Sequence, residues 1–120
     1  MKKLLSDQLH IDYPLLFVEK TYVGVGDGWF DLLNCLCHIL EMNIERLPED
    51  LREQVYAVQI KEKYGTLRFY MSHDTPAIDA AIGLAEEISG IICEDCGYPG
   101  RQRNGGYIRT QCDSCFEKSK

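Results

Sequence analysis

Four cysteines near the end of the 120-residue chain stand in two pairs, Cys93-x-x-Cys96 and Cys112-x-x-Cys115, with 15 residues between the pairs. A Cys-x-x-Cys turn places two sulfurs on one side of a tight loop, and four thiolates suit the tetrahedral shell that zinc prefers. Gly97 and Pro99-Gly100 follow the first pair, as a knuckle that turns back requires. Arg101 to Gln111, with Asn104-Gly105-Gly106 near its middle, reads as a hairpin that returns the chain to the second pair. The spacing therefore predicts a zinc ribbon, with one structural Zn²⁺ held by Cys93, Cys96, Cys112 and Cys115. A redox dithiol is the alternative, and the co-occurrence of two Cys-x-x-Cys units at ligand spacing weakens it. A closed shell of four thiolates leaves no position for water or substrate, so the metal is expected to fold the chain and not to catalyse.

The other reactive side chains form no such pattern. Cys35 and Cys37 are two apart in a helical stretch and point to different sides, so both read as small buried hydrophobes. His10, His38 and His73 are isolated in sequence, with no nucleophile motif beside them. Gly24-Val25-Gly26-Asp27-Gly28 has the spacing GxGxG with no βαβ pattern around it, and reads as a turn needing positive φ rather than a phosphate-binding loop. Two polar clusters offer binding chemistry. Arg101, Arg103 and Arg109, interleaved with Tyr98, Tyr107 and Phe116, could contact nucleic acid through Arg101, Arg103, Tyr107 and Arg109. On a hairpin over 55–72, Lys61, Lys63, Arg68 and Tyr70 would share the face away from the core and could anchor a protein partner.

The elements that must position these groups follow from periodicity. Residues 1–13 read as a short helix, and Leu15 to Val23 as a strand rich in β-formers. Trp29, Leu32, Leu33, Leu36, Ile39, Leu40 and Ile44 recur at helical spacing, with Asp27 at the N-cap position and Asp31 in the first turn. Pro48 opens a second short helical stretch at a first-turn position. In the hairpin, Val58, Ile60, Leu67 and Phe69 are the expected core face. Thr75-Pro76 starts another helix, with Ile78, Ala81, Ile82, Ala85 and Ile88 as its apolar stripe and Ser89-Gly90 as its end. The expected fold is α+β: a small antiparallel sheet, made of the hairpin plus one strand, covered by two helices. The expected organisation is a body over 1–90 and a zinc-ribbon appendage over 91–120. Trp29 is expected in the core beside Ile60 and Phe69.

Charge narrows the partners. The first 90 residues carry 8 Lys and Arg against 15 Asp and Glu, and the last 30 carry 5 against 4. An acidic body repels phosphate backbones, which favours a protein partner over a nucleic acid. No run approaches the ~20 apolar residues of a membrane span. Met1-Lys2-Lys3-Leu4-Leu5 opens like a signal peptide, but Ser6-Asp7-Gln8 follows where the apolar region should be. The expectation is a soluble cytoplasmic protein with reduced thiols.

Several segments also stand together as a set. They are Gly26-Asp27-Gly28-Trp29 with Leu32-Leu33 and Leu36-Cys37, then Lys61 to Tyr70, then Cys93-Glu94-x-Cys96-Gly97-x-Pro99-Gly100, then Thr110-x-Cys112-x-x-Cys115. The set, from about residue 24 to 115, resembles a family of small, largely uncharacterised proteins carried by bacteriophages and prophages. The resemblance implies an accessory protein made in the host cytoplasm, and it transfers neither an enzymatic activity nor a partner to this chain. The resulting expectation is a non-enzymatic accessory protein that binds and modulates a bacterial protein, such as a defence or transcription component. A nucleic-acid-binding zinc-ribbon module is the alternative.

Overall fold

The computed structural model describes all residues, 1–120. Helix α1 (Lys3–Asp12) precedes a compact turn, and strand β1 (Val23–Gly24) leads through a 3-10 turn (Asp27–Trp29) into α2 (Phe30–Glu45). After the single turn α3 (Glu49–Arg52) come the hairpin strands β2 (Ala57–Lys63) and β3 (Thr66–Met71), then α4 (Pro76–Ser89). The C-terminal segment adds β4 (Arg101–Arg103), β5 (Arg109–Gln111) and α5 (Asp113–Lys118). The α+β class is as expected. The three-stranded sheet has the order β1-β2-β3 and is mixed: β2 and β3 pair antiparallel, whereas β1 runs parallel to β2 through Val23↔Ile60 and Gly24↔Lys61. The parallel pair makes β1–α2–β2 a βαβ unit, which the sequence pattern did not reveal because β1 is two residues long.

The hairpin turns at Tyr64-Gly65, both at positive φ. Its pleat sends Ile60, Leu67 and Phe69 into one core with Trp29, Leu33, Leu36, Leu40 and Ile44 of the α2 region and Ile78, Ile82 and Ala85 of α4. Thr75 caps α4 as its sequence implies, accepting from the Ile78 amide at 3.2 Å, with Pro76 in the first turn.

Five local expectations give way. The segment expected as a strand over 15–23 is mostly a turn. Glu41 of α2, itself buried, accepts from the Leu16 amide at 2.8 Å and the Leu15 amide at 3.1 Å, satisfying donors that a strand would have paired. A bulge between Ala57 and Gln59 turns Ala57 inward and leaves Val58 52% exposed, so Val58 is not a core residue. Asp27 does not cap α2; its carboxylate accepts from the Lys2 amide at 2.7 Å. Pro48 is the N-cap residue of α3 rather than its first residue. Gly24, Gly26 and Gly28 all have ordinary φ, so steric room, not a left-handed backbone, explains them.

Candidate metal centre

The C-terminal segment is built around its cysteines. In the first knuckle the Cys93 amide donates to the Tyr98 carbonyl at 2.7 Å, and the Gly97 amide to the Cys93 carbonyl at 2.9 Å. Gly97 sits at φ +85°, a conformation that suits glycine. The short antiparallel pair β4–β5 carries the chain back. The second knuckle is the start of α5, where the Cys112 sulfur accepts from the Cys115 amide at 3.4 Å. That donor holds the Cys112 thiol down at about 7. The helix α5 had no clear periodic signal, being only six residues long.

The four sulfurs lie within 4.8 Å of one another, and Cys96 and Cys112 are 3.7 Å apart. A tetrahedron with metal–sulfur bonds of ~2.3 Å has sulfur–sulfur edges of ~3.8 Å. The quartet is thus positioned to hold one metal ion. Cys35 and Cys37 stand apart from it. Cys37 is fully buried in the core, where burial, with the Glu41 charge behind it, pushes its thiol well above the ordinary value. Cys35 is exposed, against expectation, because it sits on the outer side of α2.

This segment is fastened to the rest of the chain at the Gly26-Asp27-Gly28-Trp29 loop. The Gly28 amide donates to the Glu94 carbonyl at 2.8 Å, the Gly26 amide to Glu94 Oε2 at 3.0 Å, and Trp29 Nε1 to the Ile92 carbonyl at 2.8 Å. A Cβ on Gly28 would lie 2.6 Å from both the Glu94 oxygen and the Gly97 nitrogen, so only glycine lets the knuckle approach. Glu94, buried between the two halves, is a residue the sequence reading missed; its one signal is its place beside Cys93 and opposite small residues. Burial pushes its carboxyl above the usual range, while the Gly26 amide and Arg109 pull it back. At the other end Thr110 donates to the Gly65 carbonyl at 2.6 Å, and Gln102 to the Tyr64 carbonyl at 2.9 Å.

Two of the three arginines of this segment are bonded within it. Arg103 is 7% exposed; it donates twice to the Gln111 carbonyl, pairs with Asp113 at 2.7 Å and stacks on Phe116. That bond holds the Asp113 carboxyl below the usual carboxylate range. Arg109 pairs with Asp95 at 2.6 Å, and the Tyr107 hydroxyl bonds Glu62. Arg101 alone extends into solvent, 3.8 Å from Asp113. The histidines are scattered, with His10 bonded to the Thr21 carbonyl and His73 to the Gln54 carbonyl.

The hairpin presents the other candidate surface. Lys61 stands opposite Arg68, Lys63 follows Lys61 on the same face, and Tyr70 follows Arg68. The structure brings all four to one side, away from the core; Lys61, Lys63 and Tyr70 are exposed and Arg68 is half-buried. Tyr22 and Val58, absent from the expected set, widen the patch at 79% and 52% exposure. No family model matches the chain, and neither a curated protein nor a solved structure matches it. No helix is long and apolar enough to cross a membrane.

Proposed function

We propose that the chain is a non-enzymatic protein-binding module that takes one Zn²⁺ at Cys93, Cys96, Cys112 and Cys115 and docks an acidic partner on its open sheet face. The observation that carries the proposal is the one-sided cover of the sheet. Helices α2 and α4 pack on the side of Ile60, Leu67 and Phe69. The opposite side offers Lys61, Lys63 and Arg68 around Tyr22, Val58 and Tyr70, with no ion pair to any of the three cations. Exposed aromatic and aliphatic side chains ringed by one sign of charge have the composition of an interface, with Tyr and Arg as anchors. Zinc fits the quartet because soft thiolates at tetrahedral spacing select it over hard cations.

The likeness of the GDGW, hairpin and cysteine segments to phage-borne proteins supports a bacterial protein as the partner. Its modulation, as a defence or transcription component, and action in the host cytoplasm belong to the same proposal. The nucleic-acid alternative loses ground, since Arg103, Arg109 and Tyr107 are each engaged within the chain. The test is affinity capture from bacterial lysate with the wild type, Arg68→Ala/Tyr70→Ala and Arg101→Ala, each checked for folding. A protein captured by wild type and Arg101→Ala but lost by the hairpin pair is the expected result. Retention by the hairpin pair and loss by Arg101→Ala would move the interface to the ribbon.

A further inference from the structure

The opposite side of the molecule carries a second unpartnered surface. Between α2 and α4 runs a groove of about 110 Å³, lined by hydrophobic side chains alone. Leu36 and Ala85 form its buried floor. Its walls are Leu32, Cys35 and Ile39 from α2 and Ala81, Leu84 and Ile88 from α4, with Ile39 44% and Leu84 64% exposed. Helix α4 is apolar well beyond its buried stripe: only Ile78, Ile82, Ala85 and Ser89 are buried, yet its sole charged residues are Asp79, Glu86 and Glu87. A helix apolar on most sides is normally covered on most sides.

Charge indicates what covers it. The two segments that build the groove, residues 27–45 and 74–92, contain no Lys or Arg. They contain eight acids, of which Asp27, Glu41 and Glu86 accept hydrogen bonds from the Lys2, Leu16 and Phe69 amides. Asp31, Glu45, Asp74, Asp79 and Glu87 remain exposed on these segments, and two of them neighbour the walls, Asp31 one turn before Cys35 and Glu87 one turn after Leu84. A second copy seated here through the same face would bring these acids against their equivalents, which opposes self-pairing. A guest with an apolar stripe flanked by cations meets both demands. The walls run from Leu32 to Ile39 and from Ala81 to Ile88, about 10 Å of axis on each helix, which is two helical turns. That length matches apolar anchors at i, i+4 and i+7.

We propose that the groove between α2 and α4 docks a basic amphipathic helix of a partner protein. This surface is separate from the sheet face and does not depend on it. The test uses a displayed library of 16-residue helical peptides with Leu fixed at i, i+4 and i+7 and flanks randomised over Lys, Arg, Asp, Glu, Ser and Gln. Selection is on the zinc-loaded wild type with Leu84→Lys as the counter-target; Leu84 is exposed enough for the variant to fold, which its melting curve checks. Enrichment of Lys and Arg in the flanks is expected. A selected peptide should lose at least tenfold in affinity on Leu84→Lys and on Ile39→Lys, weaken with salt, slow alkylation of the exposed Cys35, and keep its affinity on Arg68→Ala/Tyr70→Ala. Acidic or neutral flanks, no enrichment over Leu84→Lys, or a dimer in sedimentation that Leu84→Lys dissolves would each overturn the proposal, the last by assigning the groove to a second copy.

Discussion

Loss of a metal ion from the four-cysteine site should be felt at Trp29, in the middle of the core. The indole is fully buried and its Nε1 donates to the carbonyl of Ile92, the residue before Cys93. The Gly28 and Gly26 amides at the same junction, and Thr110 at the hairpin end, make three more bonds between this segment and the body, at 2.8, 3.0 and 2.6 Å. A segment of about 28 residues has too little core to hold its shape without a staple. Once the thiolates lose their common ion, the two knuckles separate and these four bonds lose their geometry. At about 1 kcal/mol each, the body forfeits about 4 kcal/mol, a large share of the 5–15 kcal/mol by which domains are stable. For a chain of this size that is roughly 16 °C in Tm, at roughly 4 °C per kcal/mol. The assay is a chelator titration followed by Trp29 fluorescence, with melting by circular dichroism before and after. The expected result is a red-shifted indole, a Tm lower by 10–20 °C (roughly, on the same scale) and recovery on adding Zn²⁺. An unchanged emission spectrum together with an unchanged Tm would refute the coupling and make 91–120 an independent appendage.

Glu41 offers a second measurement. Glu41→Ala leaves the Leu15 and Leu16 amides without their acceptors and should cost about 2–4 kcal/mol by urea unfolding. Glu41→Gln keeps one acceptor and should cost about half as much. Thiol reactivity separates the two cysteines of α2. At pH 8 the exposed Cys35 should alkylate within minutes, whereas Cys37, buried and with its thiol pushed up, should react only on unfolding, as peptide mass spectrometry would show. Arginine replacements separate structure from surface. Arg103→Ala removes the bonds to Gln111 and Asp113 and should lower stability by about 2 kcal/mol, while Arg101→Ala should stay within about 0.5 kcal/mol.

The parts legible in the sequence are those whose signal is periodic or short-range. The α2 and α4 stripes, the Thr75-Pro76 start, the Tyr64-Gly65 turn and the two Cys-x-x-Cys units each carry their reason within a few residues. What was illegible depends on contacts across the chain. Leu15 to Val23 has strand-forming residues, but Glu41, some 25 positions away, satisfies its amides as a turn. Gly26 and Gly28 looked like turn glycines because their reason, the Glu94 and Cys93 carbonyls, lies far along the sequence. The bulge that exposes Val58 has no residue signature, since neither Val58 nor its neighbours is Gly or Pro. In the C-terminal segment, alternating Arg and aromatic residues look alike in sequence, and only the fold distinguishes Arg103, inside against Phe116, from Arg101 in solvent.

Charge was misleading in the same way. A net charge of −6 and an acidic body say nothing of where the cations sit, and the fold sorts the charges by side. The sheet face collects Lys61, Lys63 and Arg68, while the helices behind it hold only acids. Because the core packed between the sheet and the helices separates the two faces, neither surface screens the other at short range, and each keeps its own field within the ~8 Å over which such fields act in physiological salt. Two opposed faces of opposite sign would let one small chain touch an acidic partner and a basic one at once. They would also invite head-to-tail association of the chain with itself, a heterologous contact that does not close and so builds open chains. Sedimentation velocity at low and physiological salt distinguishes these outcomes for the isolated protein. A monomer under both conditions means that the two faces do not fit each other and are left for other partners. Salt-sensitive growth that Arg68→Ala and Leu84→Lys each abolish would mean that they are made for one another.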